Sequence, residues 1–176
     1  MTASNIERSN VIDISGTSNE SLLTKYQNKD CWLCWRYEQD DDAEKPRKVP
    51  VDLNTFRKVD ATDSAVWTDY SSVHTSNSQA NSDVTGLGIA LEFGDLAGID
   101  LDNCRDPETG DTEDWAIDIV ETLDSYAEVS PSGTGLHVLV KGALPEDARN
   151  RQKDVPSTLS RFDEAEIEIY DSVRYF

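Results

Sequence analysis

The chain has 176 residues, with 35 Asp and Glu against 16 Lys and Arg, for a formal net charge of -19 at pH 7. That length suits one domain with a real core rather than two, and four Trp, six Tyr and four Phe exclude wholesale disorder despite a hydrophobic content of only 37%. So negative a balance argues against a surface built to neutralise phosphates, unless the acids, spread over the whole length, are a halophile's adaptation to concentrated salt.

Residues 1–24 are rich in Ser, Thr and Asn and read as a disordered tail, with residues 25–176 as one domain. The N-terminus has no apolar signal-peptide core and no later run could span a bilayer, so a cytoplasmic, reduced protein with no membrane partner is expected. Residues 31–37 form an apolar, aromatic run that predicts a buried strand. Cys31 and Cys34 have the spacing of half a zinc site, but there is no second pair; Cys104, His74 and His137 are scattered. After the acidic stretch 40–44, Lys45-Pro46-Arg47-Lys48-Val49-Pro50-Val51 gathers three cations within four positions. Its prolines predict an extended loop or edge strand, either balancing the nearby acids or receiving phosphate.

Asp60 and Asp63 offer N-caps to a helix predicted over residues 62–74, with Ala65, Val66, Trp67, Tyr70 and Val73 at roughly helical spacing. The runs 87–93 and 96–101 flank Gly94-Asp95, which predicts a hairpin with a type II′ turn. On its second strand, Gly98-Ile99-Asp100-Leu101-Asp102 places Asp100 and Asp102 on one face and Ile99 and Leu101 on the other. Two acids side by side on a rigid strand repel unless a cation lies between them, and hard ions such as Mg²⁺ are held by carboxylates plus substrate phosphates. The alternative is a solvated acidic face. A calcium loop is a weaker fit: Asp106 and Asp111 follow, but Cys104 stands where an oxygen ligand is needed and Arg105 where glycine is.

Asp111 or Thr112 is the expected N-cap of a helix over residues 112–123, with Trp115, Ala116, Ile119, Val120 and Leu123 on one face. Strands follow at 126–129 and 136–140, joined by Ser130-Pro131-Ser132-Gly133-Thr134-Gly135, a small-residue loop that delivers His137 to the face opposite Leu136 and Val138. A Ser132–His137 hydrolase has no Gly-x-Ser-x-Gly elbow to support it. Residues 146–160 are polar and mixed and read as a mobile loop. The last strand alternates, with Ile167 and Ile169 on one face and Glu166, Glu168 and Tyr170 on the other. The pattern runs to Arg174-Tyr175-Phe176 without a turn, which predicts that the domain is C-terminally incomplete.

The order of these pieces resembles the primase-polymerase (bifunctional primase/polymerase) domain of the archaeo-eukaryotic primase superfamily, found in plasmid, viral and prophage replication proteins. The resemblance rests on Gly98 to Asp102, then Glu128-Val129-Ser130-Pro131-Ser132-Gly133-Thr134-Gly135-Leu136-His137, then Ile167-Glu168-Ile169-Tyr170-Asp171, with Trp32 to Arg36 and Lys45 to Pro50 upstream. It implies an α+β fold: a mainly antiparallel sheet with flanking helices. It also implies nucleotide polymerisation on a DNA template with two Mg²⁺ or Mn²⁺ ions on Asp100, Asp102 and Glu168. Glu166 and Asp171 are rivals for the third place. By the same resemblance His137 contacts the phosphates of a nucleoside triphosphate, Ser130, Ser132 and Gly133 line the approach, and Arg174 and Lys48 add positive charge. Family members often continue into a helicase. Two other readings stay open: an inactive or accessory replication protein, and a metal-dependent nuclease, since the same acids serve hydrolysis.

Overall fold

A computed structural model describes residues 19–40, 46–78, 84–91, 95–146, 148 and 151–176. The elements in chain order are α1 (Asn19–Thr24), β1 (Trp32–Glu38), β2 (Arg47–Val51), a 3₁₀ turn at Ser64–Val66, α2 (Tyr70–Ser78), β3 (Gly86–Ile89) and β4 (Leu96–Asp102). There follow α3 (Asp114–Leu123), β5 (Tyr126–Val129), β6 (Leu136–Lys141), β7 (Arg151–Asp154) and β8 (Glu166–Tyr170). The α+β class expected from the sequence is the one observed, with every strand pair antiparallel. The strands divide into a three-stranded sheet, β2-β1-β3, and a five-stranded sheet, β5-β6-β4-β8-β7.

Period-two alternation decides what each face of the larger sheet does. Ile99, Leu101, Leu136 and Val138 point to one side, where Ala116 and Val120 of α3 close a core with Cys104 and Ala127. Leu101, Leu136 and Val138 are fully buried there, each stabilising the fold by about 1.5–3 kcal/mol. On the opposite face Leu96, Leu139, Tyr126 and Tyr170 pack against Trp32, Cys34, Val51 and Ile89 from the smaller sheet, with Leu22, Tyr26 and Val73. Only the far end of that face is polar. Cys31 and Cys34 belong to this core, and burial pushes their thiols up to about 12 and about 11.

Several expectations need correction. The runs 87–93 and 96–101 do not form a hairpin: β3 pairs with β1, whereas β4 pairs with β6 and β8. A strand has two edges, and both of β4's are taken. Gly94, in the expected turn, lies outside the described residues. The helix expected over 62–74 is broken, because Trp67 is extended at φ -80 and ψ 150 and Thr68 exchanges two backbone hydrogen bonds with Trp32. A new helix begins only after Asp69, whose carboxylate accepts from Ser72 N at 3.1 Å. The N-cap of α3 is Glu113 rather than Asp111 or Thr112, and Leu123 is exposed. Polar residues 151–154, read as loop, form β7, an exposed edge strand on β8. The end of the expected tail holds α1, with Leu22 in the core; residues 1–18 lie outside the described residues, as do the acids 41–44 and Lys45.

The loop between β5 and β6 is folded onto β4. A Cβ on Gly135 would stand 2.6 Å from the Leu101 carbonyl oxygen and 3.5 Å from Asp102 Cα. Gly135→Ala should therefore cost about 1–3 kcal/mol through overpacking against backbone, measured by denaturant unfolding. Unchanged stability would show that the loop is not seated on β4.

Candidate active site

Strand register assembles the site. Glu128 of β5 stands opposite His137 of β6, His137 opposite Asp100 of β4, and Asp100 opposite Glu168 of β8. One row of ionisable side chains thus crosses four strands, and Asp102 opposite Glu166 makes a second, shorter row. Like charges directly opposite one another on a sheet are destabilising, so this face is not arranged for stability.

Carboxylate oxygens of Asp100, Asp102 and Glu168 all lie within 4.8 Å of one another. Asp100 Oδ1 is buried and makes no hydrogen bond among the described residues. Burial pushes the Asp100 carboxyl up to about 6; the His137 and Lys48 charges oppose that rise, and Asp102 and Glu168 add to it. An unpartnered buried oxygen among three converging carboxylates fits a hard divalent ion such as Mg²⁺ or Mn²⁺. Of the rival third ligands, Glu166 accepts from Gln152 Nε2 at 2.6 Å, and Asp171 turns away to accept from Leu144 N at 3.0 Å. Asp106 of the loop considered for calcium accepts from Glu108 N and Thr109 N, closing a turn.

Asp100 and Glu168 of the triad line a cleft of about 960 Å³ between the two sheets. Asp100, His137 and Glu168 lie on one wall, and Arg47, Lys48, Lys58 and Arg174 contribute cations to the others. Burial lowers the affinity of Lys48 for its proton, against the pull of Asp100, Glu128 and Asp102. Its ammonium lies 5.5 Å from the Trp35 ring centroid. Arg174 is exposed, with its guanidinium 4.6 Å from the Tyr170 ring centroid and a donor 3.1 Å from the Tyr170 hydroxyl. His137 is 4% exposed, with Nε2 3.8 Å from Asp100 Oδ1 and Nδ1 3.2 Å from Glu128 Oε1.

The structure therefore brings together Asp100, Asp102, His137, Glu168, Lys48 and Arg174. It does not bring Ser130, Ser132 and Gly133 to the walls of that cleft. Ser130 Oγ accepts from Gly135 N at 3.2 Å and lies 2.8 Å from Ser132 Oγ, while the Gly133 carbonyl accepts from Arg105 at 2.8 Å. These residues shape the turn into β6. Sequence reading had Arg47 only as part of a cluster that balances nearby acids or receives phosphate, and in the structure its Nε lies 3.1 Å from Asp40 Oδ2; it missed Lys58 as a cleft residue and Glu128 as the partner of His137. The cluster at 45–48 was a signal for Arg47, but nothing local marked Lys58.

No family model matches the chain. Over 146 residues, 82% of its length, it is 32% identical to a protein of Nitratiruptor phage NrS-1 named DNA primase-polymerase. The match spans 18% of that phage protein.

Asp100→Asn tests how far burial strains the site. A carboxyl raised from 3.8 to about 6 binds its proton more tightly in the folded state, so wild-type stability falls as pH rises through that interval. The variant should gain on the order of 3 kcal/mol above about pH 7 and almost nothing below about pH 4 in thermal melts without divalent ions. A gain independent of pH would refute the desolvation account. Added Mg²⁺ should stabilise the wild type and not the variant.

Proposed function

This chain carries a primase-polymerase domain, and from that premise we propose that it joins nucleotides on a DNA template, making or extending primers in replication. One observation carries the reading: three carboxylates converge within 4.8 Å, two of them, Asp100 and Glu168, on one wall of a cleft whose other walls carry Arg47, Lys48, Lys58 and Arg174. A nucleoside triphosphate has the complementary form, a polyanion whose reacting end needs cations. Asp100, Asp102 and Glu168 would hold Mg²⁺ or Mn²⁺, which would neutralise charge at the α-phosphoryl group and on the departing pyrophosphate as a primer hydroxyl displaces it.

The chain's own groups do the rest. Lys48 and Arg174 receive phosphate oxygens and set the direction in which the triphosphate lies. Lys48 is suited to this because desolvation strengthens its charge interactions while Trp35 limits its motion. His137, held on a buried strand, meets the phosphates beside the triad. The local cations also answer the global charge: a chain at -19 needs a local cationic surface to admit a template strand, and concentrated salt would shorten the reach of its remaining acids to a few ångströms. Among the described residues no helix is long and apolar enough to cross a membrane. A helicase, on the same chain or separate, is the partner this activity calls for.

Replacing Asp100 and Asp102 by Ala in the intact protein should abolish incorporation of labelled deoxynucleotides on a primed template in molar salt with Mg²⁺ or Mn²⁺. Undiminished synthesis would sink the assignment. Incubating labelled DNA with Mn²⁺ and no nucleotides provides the contrast: cleavage without any extension would mark a nuclease instead. Lys48→Ala should raise KM for the triphosphate about tenfold or more, the loss of a charge-assisted hydrogen bond, in steady-state assays. An unchanged KM would place the phosphates elsewhere.

A further inference from the structure

We propose that Val173 is a nucleotide contact, its isopropyl group packing on the nucleoside half of a triphosphate bound in the cleft. This rests on the reading of the cleft as a triphosphate site. Val173 lines the cleft together with Arg174, the next residue in the chain. Its backbone is left-handed, at φ 60. A β-branched residue is a clear outlier there, because its Cβ crowds the neighbouring carbonyl and its two γ-methyls restrict the rotamer. Glycine adopts this conformation freely, and asparagine with less strain than valine. The side chain is also 62% exposed, so packing within the free protein offsets little of the strain. An apolar group in water and a strained backbone coincide in one residue, on the wall of the cleft.

The turn is held from both ends. Before it, Asp171 is buried, and its Oδ2 accepts from Leu144 N at 3.0 Å. After it, the Arg174 carbonyl accepts from Leu91 N at 3.0 Å, and Phe176 and Ile89 exchange two backbone hydrogen bonds. Only Ser172 and Val173 lie between these anchors, and the left-handed step falls on Val173. Strain of this kind persists where the surrounding contacts over-determine it, and such residues cluster at ligand sites. The chemistry of the side chain then selects what it meets. An isopropyl group offers nothing to a phosphate oxygen, which the neighbouring Arg174 is suited to receive. It can cover carbon, at the C–H edge of a sugar or the face of a base. Pro50, Val59 and Ala61 add apolar surface to the same cleft, which therefore has a lining for a nucleoside as well as cations for its phosphates.

The test compares Val173→Gly and Val173→Asn with the wild type in the full chain. The readouts are thermal melts and, by calorimetry with Mg²⁺ and no DNA, binding of dATP and of inorganic tripolyphosphate. Val173→Gly should raise Tm by removing the strain, yet weaken dATP about three- to tenfold through the lost apolar contact. Val173→Asn, which keeps a side chain on the same backbone without the added freedom of glycine, should weaken dATP comparably. Tripolyphosphate should bind all three proteins equally. A Tm for Val173→Gly at or below that of the wild type, or unchanged dATP binding in either variant, would overturn the proposal. So would an equal loss of dATP and tripolyphosphate in Val173→Asn, which would mean that the turn serves only to place Arg174. If the wild type binds neither ligand, the triphosphate reading itself fails and takes this contact with it.

Discussion

Everything in the site depends on β4 being paired on both edges. With β6 on one side and β8 on the other, its register sets His137, Asp100 and Glu168 side by side, and β5 extends the row to Glu128. Because side chains alternate, a slip of one residue in either pairing would send those groups into the apolar core and bring Ile99, Ile169 or Val138 to the cleft. The packing of Ile99, Leu101, Leu136 and Val138 beneath α3 thus maintains the site as much as the fold. Burial on one face enforces the register that chemistry needs on the other.

The polar face is costly to build. It sets like charges opposite one another, leaves a buried Asp100 oxygen unpartnered and raises the Asp100 carboxyl to about 6. Such a face persists because the rest of the sheet is packed on both sides, with Leu96, Leu139 and Tyr126 extending the core up to the edge of the acids. What destabilises the free protein is what a bound cation and a polyphosphate would relieve, so the strain and the proposed chemistry have one origin.

The second wall comes from another part of the chain. Lys48 lies on β2, an edge strand of the smaller sheet, and reaches the acids only because the two sheets share a core. The segment 174–176 ties the sheets together. Leu91 N donates to the Arg174 carbonyl, Phe176 and Ile89 exchange two backbone hydrogen bonds, and the Phe176 ring occupies the space above Gly98. The same short segment that brings Arg174 to the cleft also fixes one side of His137.

The sequence by itself determined the faces. Alternation in Gly98 to Asp102 and in Glu166 to Tyr170 assigned acids to one side and apolar residues to the other, and the small-residue loop marked where His137 would emerge. These are local properties of a period-two chain. It also carried the α+β class, and its motif order carried the family. What it did not reveal were pairings: that β3 leaves β4 for β1, that polar residues 151–154 form an edge strand, that Thr68 interrupts a helical pattern by bonding to Trp32, and that Glu128 meets His137. Each is a choice among partners distant in sequence, made by which strand edges remain open once the core has closed. Tertiary structure alone decided which acids converge and which cations face them, because those distances are set between strands and between sheets, not along the chain.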